Sequence, residues 1–380
     1  MESILLTELD KRIRASADSV SWARDMCRAA SHHARQGQAD VALKWLDSVK
    51  QHFGKRIDPE VACWLMLAEG LVHYYQLRWV PACDLFRGAY GIAFAFNAES
   101  VRPACAAWIA LIEFNESNFD SMIRFLDEAL CDAAVDDHQC RARASLTLAD
   151  ALNFCSSLSK AQPWYKRARH HAAAEGDGAT MNALMHNMAA YQAARVRIAD
   201  AFGTPLLAEA KQASMQASSA FSYARAVGLS TWMLSTAPLL QAQTLAIQGQ
   251  YDDALRLLSA VDAEGLPPRD RAMLAIERAW CLAQLNCFEH VEAYAVEATR
   301  AEEVSQDADD LAYIYARLAA VEDRMGRKFV ENCAERAADA LAKHRDVQQA
   351  LEAKLDALDQ RLKLLDQRSA GDDQKEKTRH

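Results

Sequence analysis

Residues 82–89 read Ala82-Cys-Asp-Leu-Phe86-Arg-Gly-Ala89, and what decides the fold is the apolar set Ala82, Phe86 and Ala89 at i, i+4 and i+7. Forty residues earlier stands Ala42-Leu46-Val49, and forty later Met122-Leu126-Ala129. Ala161-Tyr165-Ala168 follows after 39 more, and Ala254-Leu258-Val261 and Val291-Ala295-Ala298 resume the register. The spacing puts three apolar side chains on one face of a helix. Its recurrence about every forty residues is the mark of stacked helical hairpins. Such an array grows by adding units and binds along an extended surface.

Working outward, eight helix pairs fit between residues 20 and 345, after a lead-in helix over 1–19. Asp58-Pro59 opens a helix with proline in the first turn, and Asn118 is an N-cap candidate. Gly249 and Gly326 stand where turns are needed. The fifth pair is irregular over 178–228, because Ala161 and Ala254 are 93 residues apart, more than two repeats. The surplus reads as a longer second helix or as a place where the array splits into two lobes. Leu351, Leu355, Leu358, Leu362 and Leu365 step by 4, 3, 4 and 3, a short heptad seam over 346–368 that would join two chains in a homodimer. Residues 369–380 are charged and are expected to be disordered.

Composition narrows the function. Of 380 residues, 51% are hydrophobic, with only 13 Gly and 8 Pro, which suits a packed helical chain. A net charge of −9 argues against nucleic acid as the general partner. The ten cysteines are scattered without a CxxC pair, and Cys63, Cys83, Cys105, Cys155 and Cys281 sit in apolar helical stretches. That usage fits free core thiols in a reducing cytoplasm. No apolar run is long enough for a membrane span, and the N-terminus lacks a secretory signal.

The hairpin pattern resembles the tetratricopeptide repeat (TPR). In that family a small residue in the first helix precedes a second one by twelve positions, and a bulky residue four further on fills the hairpin. Gly70 precedes Ala82 in this way, as Ala149 precedes Ala161 and Ala242 precedes Ala254. Gly249-Gln-Tyr251-Asp-Asp-Ala254-Leu and Arg35-Gln-Gly37-Gln-Ala-Asp-Val-Ala42-Leu are the best matches to the turn and second helix. The resemblance covers roughly residues 20–345. It implies an all-α, right-handed superhelical solenoid of about eight antiparallel helix pairs, ending in a short coiled-coil helix. The period exceeds the family's usual spacing of about 34 and looks like that of extended repeats in large bacterial regulators. A looser likeness is to the TPR sensory half of bacterial diguanylate cyclases, although no GGDEF sequence is present.

Motifs for chemistry are absent: there is no P-loop, GxGxxG, GxSxG or HExxH. No catalytic, cofactor-binding or metal set is expected, and the chain reads as a non-enzyme. The pairs His32-His33 and His170-His171 point apart on a helix and read as ordinary histidines. Trp164-Tyr-Lys-Arg-Ala-Arg-His-His171 reads as a hairpin core with a solvated basic face.

The resemblance implies a concave groove lined by the first helices. Placed by their offsets from the small crossing residues, its candidate contacts are Trp64, Tyr74 and Tyr75 from Gly70, and Arg143, Asp150 and Asn153 from Ala149. Ala189 gives Asn182, His186 and Asn187, while Ala242 gives Gln243 and Ala279 gives Trp280 and Gln284. Amide side chains at such positions offer both donor and acceptor to a peptide backbone, and aromatics offer anchors. The Lys-plus-Asn set of carboxylate-clamp TPR domains is missing. The expected function is a cytoplasmic scaffold or regulator that binds a protein or peptide, without nucleic acid, membrane or cofactor. The alternative is a stand-alone sensory module of a cyclic-di-GMP type signalling system.

Overall fold

Each of the six triplets becomes a buried stripe: none of their eighteen side chains is more than 7% exposed, and all but Val261, which follows the end of its helix, lie on a helix. The computed structural model describes residues 3–16, 18–229, 232–264, 266–300 and 307–377, and every regular element among them is helical. After α1 (Ile4–Ala15) come α2 (Ser19–Arg35), α3 (Ala39–Phe53), α4 (Pro59–Tyr75) and α5 (Trp79–Ala95). Next are α6 (Arg102–Asn115), α7 (Phe119–Asp132), α8 (His138–Phe154) and α9 (Leu158–Glu175). The irregular pair is α10 (Gly178–Ala201) and α11 (Leu207–Ala226), followed by α12 (Trp232–Ile247) and α13 (Tyr251–Ser259). Then come α14 (Pro268–Gln284), α15 (Val291–Ala298), α16 (Ala308–Met325) and α17 (Cys333–Lys377). The surplus in the fifth pair lies in helix length: α10 has 24 residues and α11 has 20, against 17 and 15 in the first pair.

One turn closes six of the hairpins. Five positions before each triplet the backbone enters the left-handed region, at Gly37 (φ 81°), Leu77 (60°), Ser117 (59°), Ser156 (60°), Gly249 (76°) and Asn286 (58°). The next residue donates its N–H to the carbonyl five back, as Gln38 does to His33 at 2.9 Å and Arg78 to His73 at 3.0 Å. This is the Schellman closure, which satisfies carbonyls left open at a helix end. It therefore fixes where each second helix begins. Glycine adopts this conformation freely, whereas Leu77 bears a steric cost of about 1–2 kcal/mol. Asp58 accepts from the Glu60 N–H at 2.8 Å, as an N-cap should. Asn118 occupies its N-cap without a capping bond and turns its amide to Glu116 instead.

The crossing inside a hairpin is tight. A Cβ on Gly70 would lie 2.5 Å from Cε1 of Phe86, which is fully buried. Glycine at 70 and phenylalanine at 86 are therefore complementary halves of one contact, sixteen residues apart.

The chain divides into two compact units: residues 1–184 with 349–380, and residues 185–348. In the first, α1 lays Leu5 and Leu9 against Ala29 of α2. In the second, Ala254, Leu258, Ile276, Ala279, Tyr313 and Leu318 belong to one continuous core. No helix among the described residues is long and apolar enough to cross a membrane. The ten cysteines are free thiols, eight of them buried.

The C-terminal expectation needs correction. The heptad is not a separate short helix: α17 runs unbroken from Cys333 to Lys377, so 369–377 are helical rather than disordered. Residues 378–380 lie outside the described residues. Leu351, Leu355, Leu358 and Leu362 are buried within the monomer, so they offer no free seam for a second copy. Flanking contacts reach α7 and α9. Lys354 pairs with Asp120, Arg361 with Asp127 at 2.9 Å, and Lys160 with Asp356 at 2.7 Å. Trp164 donates its indole N–H to Asp359 at 3.0 Å. Leu365 lies beyond the residues whose side chains are described.

Candidate functional site

In the first unit the first helices converge. Ser31 of α2, Trp64 of α4, Trp108 of α6 and Arg143 of α8 line one small cavity of about 10 Å³, the room of a single water-sized atom. The expected groove is thus largely filled by its own side chains here. Arg143 lies with its guanidinium carbon 4.2 Å from the centre of the Trp108 ring. Trp108 in turn stacks at 5.8 Å on Phe86, which ties the site to a hairpin core.

Around this face the candidate residues divide. Trp64 and Arg143 meet at the cavity. Tyr74 packs edge-on against Trp79 at 4.9 Å and Trp108 at 5.7 Å, with Tyr75 beside it at 5.2 Å, so both serve contacts between repeats. Asp150 and Asn153 belong to their own hairpin: Asp150 accepts from the Tyr165 hydroxyl at 2.8 Å, and Asn153 donates to that hydroxyl at 3.2 Å. Asn182 is buried on α10 within the first unit, as Ala183 is beside it.

A second polar cluster holds α2 to the turn before α10. Arg35 donates to Asp177 at 2.5 Å and to Thr180 at 2.8 Å, and His32 lies 3.6 Å from the same carboxylate. Asp177 also caps α10 by accepting the Thr180 N–H at 3.1 Å. Burial by itself would raise the Asp177 pKa, but Arg35, His32 and Thr180 outweigh it and hold the carboxyl well below its ordinary range. His33 binds Gln38 at 2.7 Å, and His171 binds His138 at 2.9 Å. The described residues contain no metal-binding group of three or more His, Cys, Asp or Glu.

The second unit carries a polar layer on α10, α12, α14 and α16. Tyr313 donates to Glu277 at 2.6 Å, Arg317 donates to the Tyr313 hydroxyl at 3.2 Å, and Arg317 also pairs with Asp200. The Arg317 guanidinium lies 4.3 Å over Trp280. Burial raises the Glu277 pKa despite Arg317 and Tyr313. Gln243 is 1% exposed, its amide N–H helps hold the Glu277 charge, and its Oε1 is buried without a hydrogen-bond partner. Trp280 Nε1 is likewise buried and unpaired. Gln284 and Asn187 are partly exposed.

The register of small residues does not find Trp108, Glu277 or Arg317. A signal for Glu277 does exist: it is one turn before Trp280, directly after the apolar run Ala272–Ile276, where a buried charge needs a partner.

His186 opens the second unit, buried on α10, and burial pushes its pKa down from 6.5 to about 4. The imidazole is neutral in the fold but charges in the unfolded chain below pH 6.5. Its contribution is therefore complete above that pH and is lost as pH falls toward 4, by about 3 kcal/mol in all. His186→Gln is expected to flatten the fall of the second unit's thermal midpoint between pH 6.5 and 4. An unchanged slope would assign that fall to another group.

Against known proteins, no family model and no curated protein sequence matches the chain. Among solved structures, a Rap protein in complex with Competence and Sporulation Factor superposes at a TM-score of 0.53 with 14% identity. The match covers 92% of this chain and 98% of that one. The fold is a TPR-like helical-repeat solenoid. A monomeric IFIT1 mutant with Gppp-AAAA matches at 0.35 and 13% identity, over 93% and 74% of the two chains, a likeness too slight to inform this one.

Proposed function

We propose that this TPR-like solenoid is a non-catalytic regulator or scaffold that binds a protein segment or peptide on the faces of its first helices. The observation that carries the reading is a pair of buried polar atoms without hydrogen-bond partners on the first helices α12 and α14, the Gln243 Oε1 acceptor and the Trp280 Nε1 donor. A peptide backbone carries both the N–H and the C=O that such atoms lack, and each unpaired buried group costs about 1–3 kcal/mol until a partner arrives. The Rap neighbour, which holds a bound factor on the same fold, supports the reading.

The test is selection from a displayed library of random peptides, with wild type and a Gln243→Leu/Trp280→Phe double variant compared. Wild type is expected to enrich a peptide family, and the double variant to lose at least about tenfold of that enrichment while keeping its helicity. Equal enrichment by both proteins would refute the assignment.

A further inference from the structure

Among the described residues, one buried arginine of the first unit lacks a carboxylate partner. Four arginines are buried in the described residues: Arg35, Arg143, Arg197 and Arg317. Arg35 has Asp177, Arg197 has Asp310 and Arg317 has Asp200. Arg143 is 5% exposed and has no ion-pair partner among the described residues, and its Nε and Nη2 make no hydrogen bond. A guanidinium keeps its proton in a protein, so burial cannot neutralise it. The Trp108 face offsets part of the lost hydration, but a ring face leaves the in-plane N–H donors unsatisfied.

A second donor stands at the same cavity. Trp64 is 6% exposed, and its indole Nε1 is buried without a partner. No carboxylate lines the cavity, whose remaining polar members include Ser31 and Gln139. Ser31 already donates to the Cys27 carbonyl at 2.8 Å. The unit has therefore gathered a positive charge and a neutral N–H donor around a space sized for one oxygen, and has supplied no anion.

We propose that this cavity is an oxyanion subsite that takes one carboxylate oxygen of a bound peptide, Arg143 supplying the charge and Trp64 the second hydrogen bond. The inference rests on the peptide-binding reading and adds the chemistry of the ligand. Aromatic walls and single-oxygen room suit a planar carboxylate edge better than a tetrahedral phosphate. The carboxylate comes from a peptide C-terminus or from an Asp or Glu side chain.

Synthetic heptapeptide pools test this on the full chain, in four forms: free C-terminus without acidic residues, amidated with Asp or Glu, amidated without acid, and amidated with phosphoserine. Wild type is expected to retain one carboxylate-bearing pool about tenfold or more over the acid-free pool, and which pool it is names the source. Arg143→Gln is expected to erase that preference. Trp64→Phe, which keeps the ring and removes the N–H, is expected to reduce it several-fold, and it serves as the decisive variant if Arg143→Gln does not fold. Retention of peptides without a carboxylate preference, stronger retention of the phosphoserine pool, or a preference untouched by both variants overturns the subsite and leaves peptide binding standing. Failure to retain any pool overturns both.

Discussion

A chain ending at Gln348 is expected to lose structure in the first unit rather than to change its oligomeric state. Leu351, Leu355, Leu358 and Leu362 are buried in the monomer, and burying each leucine is worth about 2 kcal/mol. Four together give a gross loss of about 8 kcal/mol, comparable to the whole stability of a typical domain. The buried Trp164–Asp359 hydrogen bond is lost with them, whereas in the flanking pairs Lys160 and Lys354 are about 40% exposed, their partners at least as much, and they add little. Hydrogen exchange should show α7 and α9 losing protection and α14 and α16 keeping theirs. Trp164 emission should shift to the red. A halved solution mass with α7 and α9 still protected would mean instead that the leucine seam joins two chains.

Asp177→Ala is expected to destabilise the first unit by about 3–5 kcal/mol, because it strands a buried guanidinium. Arg35 and Asp177 are both about 2% exposed, so water cannot stand in for the missing carboxylate. The substitution also removes the cap of α10. Asp177→Asn keeps a cap and loses the charge, so its effect should be smaller. Adding Arg35→Leu to Asp177→Asn should recover much of the loss, because both charges are then gone. Urea unfolding followed by a probe in the first unit measures these differences, and a cost below about 1 kcal/mol for Asp177→Ala would show that the pair contributes little. The folded pKa of Asp177 is depressed, so its contribution is complete above the unfolded value of 3.8 and is lost only as pH falls toward its lower folded value.

The repeat was legible because its determinants are local. Ala82, Phe86 and Ala89 lie within two helical turns, and Gly70 meets Phe86 only sixteen residues away. The hairpin turn was legible where glycine marks it, at Gly37 and Gly249, but not at Leu77, where the same left-handed backbone is imposed on a residue that disfavours it. The register also brought Trp64 and Arg143 to one cavity and Gln243 and Trp280 to one polar layer. It did not anticipate the Tyr165 hydroxyl of the partner helix, which binds both Asp150 and Asn153.

By itself, then, the sequence determined the helices, their hairpin pairing and the stripes that stack them, since each depends on neighbours within about one repeat. Only the tertiary structure decided what covers the leucine face of α17, because an apolar heptad specifies that a face must be buried and not which surface buries it. It also decided which charges are matched. Arg35 finds Asp177 across 142 residues, while Arg143 has no ion-pair partner among the described residues, and no spacing rule distinguishes one arginine from the other. That difference comes from which side chains the fold packs around each guanidinium, and on it the assignment of a ligand site depends.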